Sequence, residues 1–103
     1  RPPKQTCFLD LLQRTLNNIR PDFEQIILGD FNIDVKLSTT PICKSYKNIL
    51  NASNLTQLIK EPTRVTPSSS TIIDHIICNN EEKISQSGVI PTGISDHFMT
   101  FCT

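Results

Sequence analysis

The stretch Gln25-Ile26-Ile27-Leu28-Gly29-Asp30-Phe31-Asn32 decides the fold, because a short apolar run stops at a glycine and polar side chains follow at once. A run of this length predicts a β-strand buried on both faces. Asp30 then lies just past the carboxyl end of the strand. A simple turn explains Gly29 to Asn32 equally well, since Gly-Asp often ends strands and Asn bonds its own backbone. In a functional reading, Asp30 is a base or water-orienting group and Asn32 donates its amide to a developing oxyanion.

Two further polar motifs, Ile73-Asp74-His75 and Ser95-Asp96-His97, interrupt or border apolar segments. With the first motif they place carboxylates, an amide and histidine where strands end or falter, and active sites collect polar groups at such places. A set of this kind can position a water, a divalent cation and a phosphodiester. The pattern therefore indicates part of a nuclease.

Asp74 stands between two pairs of isoleucines, and a buried carboxylate there is costly without a partner. His75 is adjacent in the strand, so its side chain points to the opposite face. His97 is the better partner, because an aspartate bonded to one ring nitrogen fixes the tautomer and leaves the other for substrate.

Two amphipathic helices are predicted to cover the sheet. Thr6 caps the first, and Pro21 ends it. Thr40 and Pro41 look like a cap and first-turn proline for the second, which stops at 51–54. The apolar residues that fall at helical spacing are Phe8, Leu9, Leu12, Leu16 and Ile19 in the first helix and Ile42, Tyr46, Ile49 and Leu50 in the second.

The remaining apolar segments predict further strands, and the Thr-, Ser- and Pro-rich stretch 64–71 predicts an exposed loop. A last strand follows the Pro91-Thr92-Gly93 loop. The predicted strands are 55–59, 71–78, 84–90 and 97–103.

Length and composition indicate one folded α+β unit with a modest core. The chain has 103 residues, and ten basic side chains balance ten acidic ones, so no global positive field drives nucleic-acid binding. We expect any DNA contact to be local, for instance at Lys60 and Arg64, which could equally be solvated surface charges. An Arg-Pro-Pro opening without a start residue reads as a connector, so we expect a fragment.

The four cysteines have no Cys-x-x-Cys spacing, which argues against structural zinc. Reduced thiols are the simplest interpretation; two disulfides in a secreted, glycosylated protein, with acceptor patterns at Asn51 and Asn54, are the alternative. Since no signal peptide or long apolar run is visible, we expect a nuclear or cytoplasmic protein that does not enter a membrane.

The three motifs, in this order, resemble the last three motifs of the endonuclease/exonuclease/phosphatase superfamily. Leu55–Ile59, Glu61–Arg64 and Arg1–Pro3 are similar to connecting segments in endonuclease domains of non-LTR retrotransposons. The resemblance implies a DNase I-like fold, a two-sheet β-sandwich flanked by helices, with residues 1–103 forming its carboxyl-terminal half. It also implies DNA as substrate and a reverse transcriptase domain in the same polypeptide.

By the same resemblance, the reaction is Mg²⁺-dependent phosphodiester hydrolysis, with Mn²⁺ as an alternative ion. Asp30 would activate the attacking water and Asn32 would help to hold it. His97, braced by Asp74, would bind the phosphoryl oxygen, and Asp96 would lie near the metal. The family's upstream asparagine and metal-binding glutamate have no counterpart here, so we expect the metal to be held mostly by the missing half.

Several alternatives remain open at this stage. They are a non-catalytic, degenerate or domesticated fragment; a phosphatase of the same superfamily; a transition-metal site of carboxylates and imidazoles; and a serine nucleophile at Ser95. No His-x-His, His-Glu-x-x-His or Gly-x-Ser-x-Gly spacing supports the last two. A half-sandwich also predicts an exposed apolar patch beside Asp30, Asp74 and His97.

Overall fold

The computed structural model describes residues 4–20 and 22–103. Within them the chain forms two α-helices, one 3₁₀ helix and seven strands. In chain order these are α1 (Lys4–Asn17), β1 (Ile26–Asp30), α2 (Pro41–Ala52), β2 (Thr56–Gln57), β3 (Arg64–Thr66), β4 (Ser69–Thr71), β5 (Asp74–Cys78), the 3₁₀ helix (Glu81–Lys83), β6 (Ser87–Ile90) and β7 (Met99–Cys102).

Helix α2 begins as its sequence predicts. The Thr40 side chain accepts the Cys43 N–H at 3.4 Å, and Pro41 occupies the first turn. The buried side of α2 carries Tyr46 and Leu50. Helix α1 already includes Lys4, so Thr6 lies inside the helix and is not its cap. The predicted connector at 1–3 and the predicted stop at Pro21 lie outside the described residues.

All strand pairs are antiparallel and form three small sheets, which gives a mixed α+β fold. The largest sheet has the order β1-β5-β2, and the register between its first two strands pairs Leu28 with Ile76 and Asp30 with Asp74. The other two sheets are the β3-β4 and β6-β7 pairs. Strand β7 packs against β5, so β6-β7 forms a second layer over the large sheet.

Strand β1 is buried on one face only, which corrects the prediction of a strand buried on both. Ile27 packs against the core beneath the helices, whereas Ile26 and Leu28 are 51% and 58% exposed. The cause is topological: β1 is an edge strand, and the second layer lies over β5, where Ile76 is fully buried. The predicted apolar patch therefore exists on the β1 side of this face and is absent from its β5 side.

Two apolar clusters lie on the two sides of the large sheet. One contains the residues under the helices: Leu9, Leu12, Leu16, Phe31, Ile33, Tyr46, Leu50, Leu55 and Ile77. The other lies towards β6-β7 and contains Leu58, Ile59, Ile72, Ile76 and Cys78, with Val89 and Cys102 packed against it.

Segment 64–71 is a β-hairpin, not the predicted loop. Arg64 pairs with Thr71 and Thr66 with Ser69, and the hydroxyls of Thr66 and Ser69 lie 2.8 Å apart across the turn. Hydroxyl-rich sequences favour turns locally, but here cross-strand pairing continues on both sides of the turn.

The other predicted strands are present but shorter. Strand β5 begins at Asp74, because the carbonyls of Ile72 and Ile73 accept N–H groups of Val35 and Phe31. Strand β6 begins at Ser87, three residues later than predicted, and residues 84–86 connect it to the 3₁₀ helix. The segments 55–59 and 97–103 shorten to β2 and β7.

Candidate active site

Asp30 and Asp74 lie directly opposite each other at the end of the β1-β5 pair. Directly opposed residues in an antiparallel pair project to the same face, so both carboxylates stand on the side of the sheet away from the helices. Two like charges in this position repel each other and favour a neighbouring cation or donor. The register therefore creates a site for positive charge.

Asn32 follows Asp30 on a chain anchored by its neighbours. Phe31 and Ile33 are buried among the core residues under the helices, and the Phe31 N–H donates to the Ile73 carbonyl at 2.8 Å. Asn32 is exposed with a φ of 52°, a left-handed conformation that asparagine tolerates better than most residues. Its N–H donates to Oδ1 of Asp30 at 3.0 Å, which fixes that carboxylate relative to the turn.

His97 completes the group. Its Nδ1 lies 3.0 Å from Oδ2 of Asp74, and the carboxylate accepts this hydrogen bond. Asp74 is the more buried partner, with 16% of its side chain exposed against 36% for His97. The expected pairing of Asp74 with His97, rather than with His75, is confirmed. With Nδ1 engaged, Nε2 is the ring nitrogen left for a substrate oxygen.

Thr63 connects the segment that carries Asp74 to the segment that carries His97. The sequence analysis did not identify Thr63 as a site residue. Its fully buried side-chain hydroxyl accepts the backbone N–H groups of Ile73 and Asp74 at 3.1 and 3.0 Å. Its carbonyl accepts the Phe98 N–H, next to His97, at 2.6 Å. These bonds connect residues distant in sequence, so no local pattern around Thr63 could reveal them.

Arg64 brings a cation close to the site. It forms an isolated β-bridge with His97, and its Nε donates to Oδ2 of Asp96 at 3.0 Å. The Val65 N–H donates to the Asp96 carbonyl, so backbone and side chain together tie this strand to the Ser95–His97 motif. Desolvation raises the pKa of Asp96, but the Arg64 hydrogen bond and charge outweigh it, and the pKa lies below its ordinary value. Asp96 therefore stays ionised.

Two further candidates from the sequence, Lys60 and Ser95, do not contribute a side chain to the cluster. Lys60 lines a groove with Tyr46, Lys47 and Leu50 of α2, and no residue of the cluster lines that groove. The Ser95 hydroxyl accepts the His97 backbone N–H at 3.0 Å, so it stabilises a local turn. This bond gives no support to a serine nucleophile.

His75 has a structural place, on the opposite side of β5 from Asp74. It is fully buried; its Nδ1 lies 2.9 Å from the Tyr46 hydroxyl and its Nε2 lies 2.9 Å from the Ile72 carbonyl. The carbonyl can only accept, so Nε2 carries the proton and Nδ1 accepts from Tyr46. Burial lowers the pKa of His75, against the opposing effects of the Ile72 bond and the Asp74 charge, and burial raises the pKa of Tyr46.

Asp30, Asp74 and His97 could together hold a metal ion. One ligand atom from each lies within 4.8 Å of the others. The two opposed carboxylates suit an oxygen-preferring divalent cation such as Mg²⁺ or Mn²⁺, and imidazole suits Mn²⁺ or a later transition metal better than Mg²⁺. Because His97 Nδ1 already donates to Asp74, the carboxylates are the part of the cluster that fits Mg²⁺ best.

The arrangement matches part of a known fold. The chain resembles an endonuclease/exonuclease/phosphatase family protein from Leptotrichia buccalis C-1013-b, with a TM-score of 0.66 and 26% sequence identity. The match covers 92% of this chain and 40% of that one, so the chain spans less than half the length of this structural relative. The fold and the cluster together define part of an endonuclease/exonuclease/phosphatase-type structure.

The family model gives a more specific assignment than the structural match. A profile of the endonuclease-reverse transcriptase family matches residues 1–101, and the chain belongs to that family. The resemblance deduced from the three motifs is thereby confirmed. A search of curated proteins gave no significant match. Neither α1 nor α2 is long and apolar enough to cross a membrane, a finding that covers residues 4–20 and 22–103.

Proposed function

We propose that this chain forms one wall of an endonuclease site that hydrolyses phosphodiester bonds in DNA, in a polypeptide that also carries a reverse transcriptase. The observation that carries the proposal is the convergence of Asp30, Asp74 and His97 at one edge of the β1-β5 pair. Family membership supports the reaction class, since phosphodiester hydrolysis is what the family's name suggests.

Exposure and hydrogen bonding support the residue roles that the family resemblance implies. Asp30 is exposed and oriented by the Asn32 N–H, so it orients and deprotonates the attacking water, and the Asn32 side chain helps to hold that water. His97 binds a non-bridging phosphoryl oxygen through Nε2, and Asp74 holds its ring and stabilises its charged form. Phosphodiester hydrolysis needs both an activated water and a group that stabilises the phosphoryl oxygens, because charge develops on these oxygens as water attacks.

A divalent cation, Mg²⁺ or Mn²⁺, would neutralise charge on the phosphoryl oxygens when bound. Within this chain Asp30 and Asp74 are the carboxylates that would hold it, whereas Asp96, which the resemblance implies near the metal, bonds Arg64. We propose that further ligands come from a part of the domain that precedes residue 1. The chain alone is then a weak or inactive nuclease, because Mg²⁺ demands near-octahedral coordination.

Arg64 supports a phosphate-bearing substrate such as DNA, because its guanidinium bonds Asp96, the residue next to His97. A guanidinium suits phosphate recognition. Lys60, apart from the cluster, is the weaker of the two proposed phosphate contacts. A phosphatase of the same superfamily and a non-catalytic derivative are the competing functions, and activity measurements separate them.

The experiment is nicking of supercoiled plasmid in Mg²⁺ or Mn²⁺ by the parent polypeptide that contains these residues. We expect His97→Ala and Asp74→Asn to reduce the rate by at least about 100-fold, as removal of a positioned catalytic group does. Asp22→Asn, at an exposed carboxylate paired with Arg20, is the matched control and should nick normally. Hydrolysis of a phosphoinositide but not of plasmid would favour the phosphatase.

A further inference from the structure

Two of the four cysteines, Cys78 and Cys102, line one cavity between the ends of β5 and β7. The cavity has a volume of about 330 Å³, and Ile26 and Ile84 form part of its apolar wall. Cys102 packs against the apolar cluster that contains Cys78. Both thiols are free in the structure. The fold thus brings two nucleophilic groups, 24 positions apart in the sequence, into one place.

The backbone on each side of the cavity is held by hydrogen bonds. Next to Cys78, the Asn79 side chain accepts the Gln25 N–H and donates to the Phe23 carbonyl. Next to Cys102, the Thr103 N–H donates to the Gln86 carbonyl. These bonds order the backbone next to each thiol, and both thiols line the same cavity.

The two thiols differ in access. Cys102 is partly exposed, whereas Cys78 is only 2% exposed and burial raises its pKa. An oxidant in solution therefore reaches Cys102 first, at the cavity that Cys78 also lines. The remaining cysteines lie on the helices: Cys7 is exposed on α1, and Cys43 is fully buried on α2.

We propose that Cys78 and Cys102 are an oxidation site at which a peroxide forms a disulfide between β5 and β7. The Cys102 thiolate attacks the peroxide, the O–O bond breaks, and Cys102 becomes a sulfenic acid with release of water or an alcohol. The Cys78 sulfur then displaces the sulfenic hydroxyl, which leaves as water after taking up the Cys78 proton. Two thiols are oxidised, and one peroxide is reduced.

The cross-link would join the strands that hold the candidate active site. Asp74 is the first residue of β5 and Cys78 the last, while His97 precedes β7 and Cys102 ends it. Oxidation would restrain the two strands at the end opposite the Asp74–His97 pair. It would also close a loop over residues 78–102. Such a loop stabilises the folded chain because it lowers the conformational entropy of the unfolded chain.

The test uses the chain with Cys7→Ser, which removes the exposed thiol, and equimolar hydrogen peroxide. Trypsin cleaves after Arg64 and Lys83, so the two cysteines fall in separate peptides, 65–83 and 84–103. We expect these peptides to be linked in a monomeric chain, the link to be removed by dithiothreitol, and Cys43 to stay free. The urea midpoint should rise on oxidation.

The same treatment of Cys102→Ser, and of Cys102→Ala as a second variant, should leave the urea midpoint unchanged, because either change removes the thiol that peroxide meets first. Three outcomes would overturn the proposal: sulfinic or sulfonic acid at Cys102 with Cys78 unmodified, dimers linked through Cys102, or no thiol loss in the folded chain. None of these measurements uses nuclease activity, so they are independent of the proposed function.

Discussion

The hydroxyl of Thr63 accepts the backbone N–H of Asp74 at 3.0 Å, which fixes the main chain of the residue that bonds His97. The same hydroxyl accepts the Ile73 N–H, so one oxygen accepts from two consecutive backbone donors, one buried and one partly buried. A buried donor without an acceptor costs about 1–3 kcal/mol. Thr63 therefore positions the candidate site without contacting a substrate itself.

Thr63→Val keeps the shape of the side chain but removes the oxygen. We expect it to lower the free energy of unfolding by about 2–4 kcal/mol, since two N–H groups lose their acceptor. Urea denaturation measures this loss. Thr63→Ser is the control: it keeps the hydroxyl and should cost about 1 kcal/mol for the deleted methyl group. Equal losses in the two variants would show that packing, not the hydroxyl, accounts for the effect.

Acidification should destabilise the fold through His75. Burial lowers the pKa of His75 in the folded chain, so below the ordinary pKa of about 6.5 the unfolded chain binds a proton that the folded chain does not. Stability therefore falls as pH drops below about 6.5, until the folded His75 also takes up a proton. Melting temperatures between pH 7.5 and pH 5, in a His97→Gln background that removes the other histidine, measure this dependence.

Adding His75→Gln to that background should flatten the decline, although it lowers stability at every pH by disturbing the bond to Tyr46. A slope between pH 7.5 and pH 5 that persists without His75 would assign the acid sensitivity to carboxylates. The opposite trend, a fold that gains stability on acidification, would contradict a lowered histidine pKa.

Local signals in the sequence predicted those parts of the molecule that depend on near neighbours. Thr40 and Pro41 define the start of α2. One long-range contact was also predicted, because the cost of an unpaired Asp74 carboxylate indicated His97 as its partner. The pairing of the strands was not predictable. Asp30 lies opposite Asp74 because of the register between β1 and β5, and neither strand's sequence alone determines that register.

Incorrect predictions have the same origin. The apolar run at 26–28 gives no sign that β1 is an edge strand, so the run itself predicted burial on both faces, and only the resemblance to half of a sandwich predicted an exposed apolar patch. The Ser- and Thr-rich stretch 64–71 resembles a loop in composition, and only the pairing of Arg64 with Thr71 makes it a hairpin. The family resemblance supplied the residue roles, which a single sequence cannot supply.

The exposed apolar side of β1 should promote self-association of the chain. Leu28 is 58% exposed on a strand whose outer edge is unpaired within the described sheet, and such a surface promotes association. We expect Leu28→Lys to reduce self-association, measured by sedimentation, with less than about 0.5 kcal/mol change in stability. Leu11→Lys, at a residue 60% exposed on α1, is the matched control and should not change association. Equal effects of both variants would indicate a general charge effect.

The opposed carboxylates should bind a divalent cation even without a nucleic acid. Asp30 and Asp74 face each other, and each has an oxygen within 4.8 Å of the other. We expect weak Mn²⁺ binding at neutral pH, detected by electron paramagnetic resonance. Asp30→Asn should weaken it by about 10-fold or more, because the variant removes one of two charges that hold the ion. Asp22→Asn, remote and exposed, should bind as the wild type does. Mn²⁺ binding that is unchanged in Asp30→Asn would show that the ion binds elsewhere. In that case His97 would be the group that offsets the repulsion between Asp30 and Asp74 in the wild-type chain.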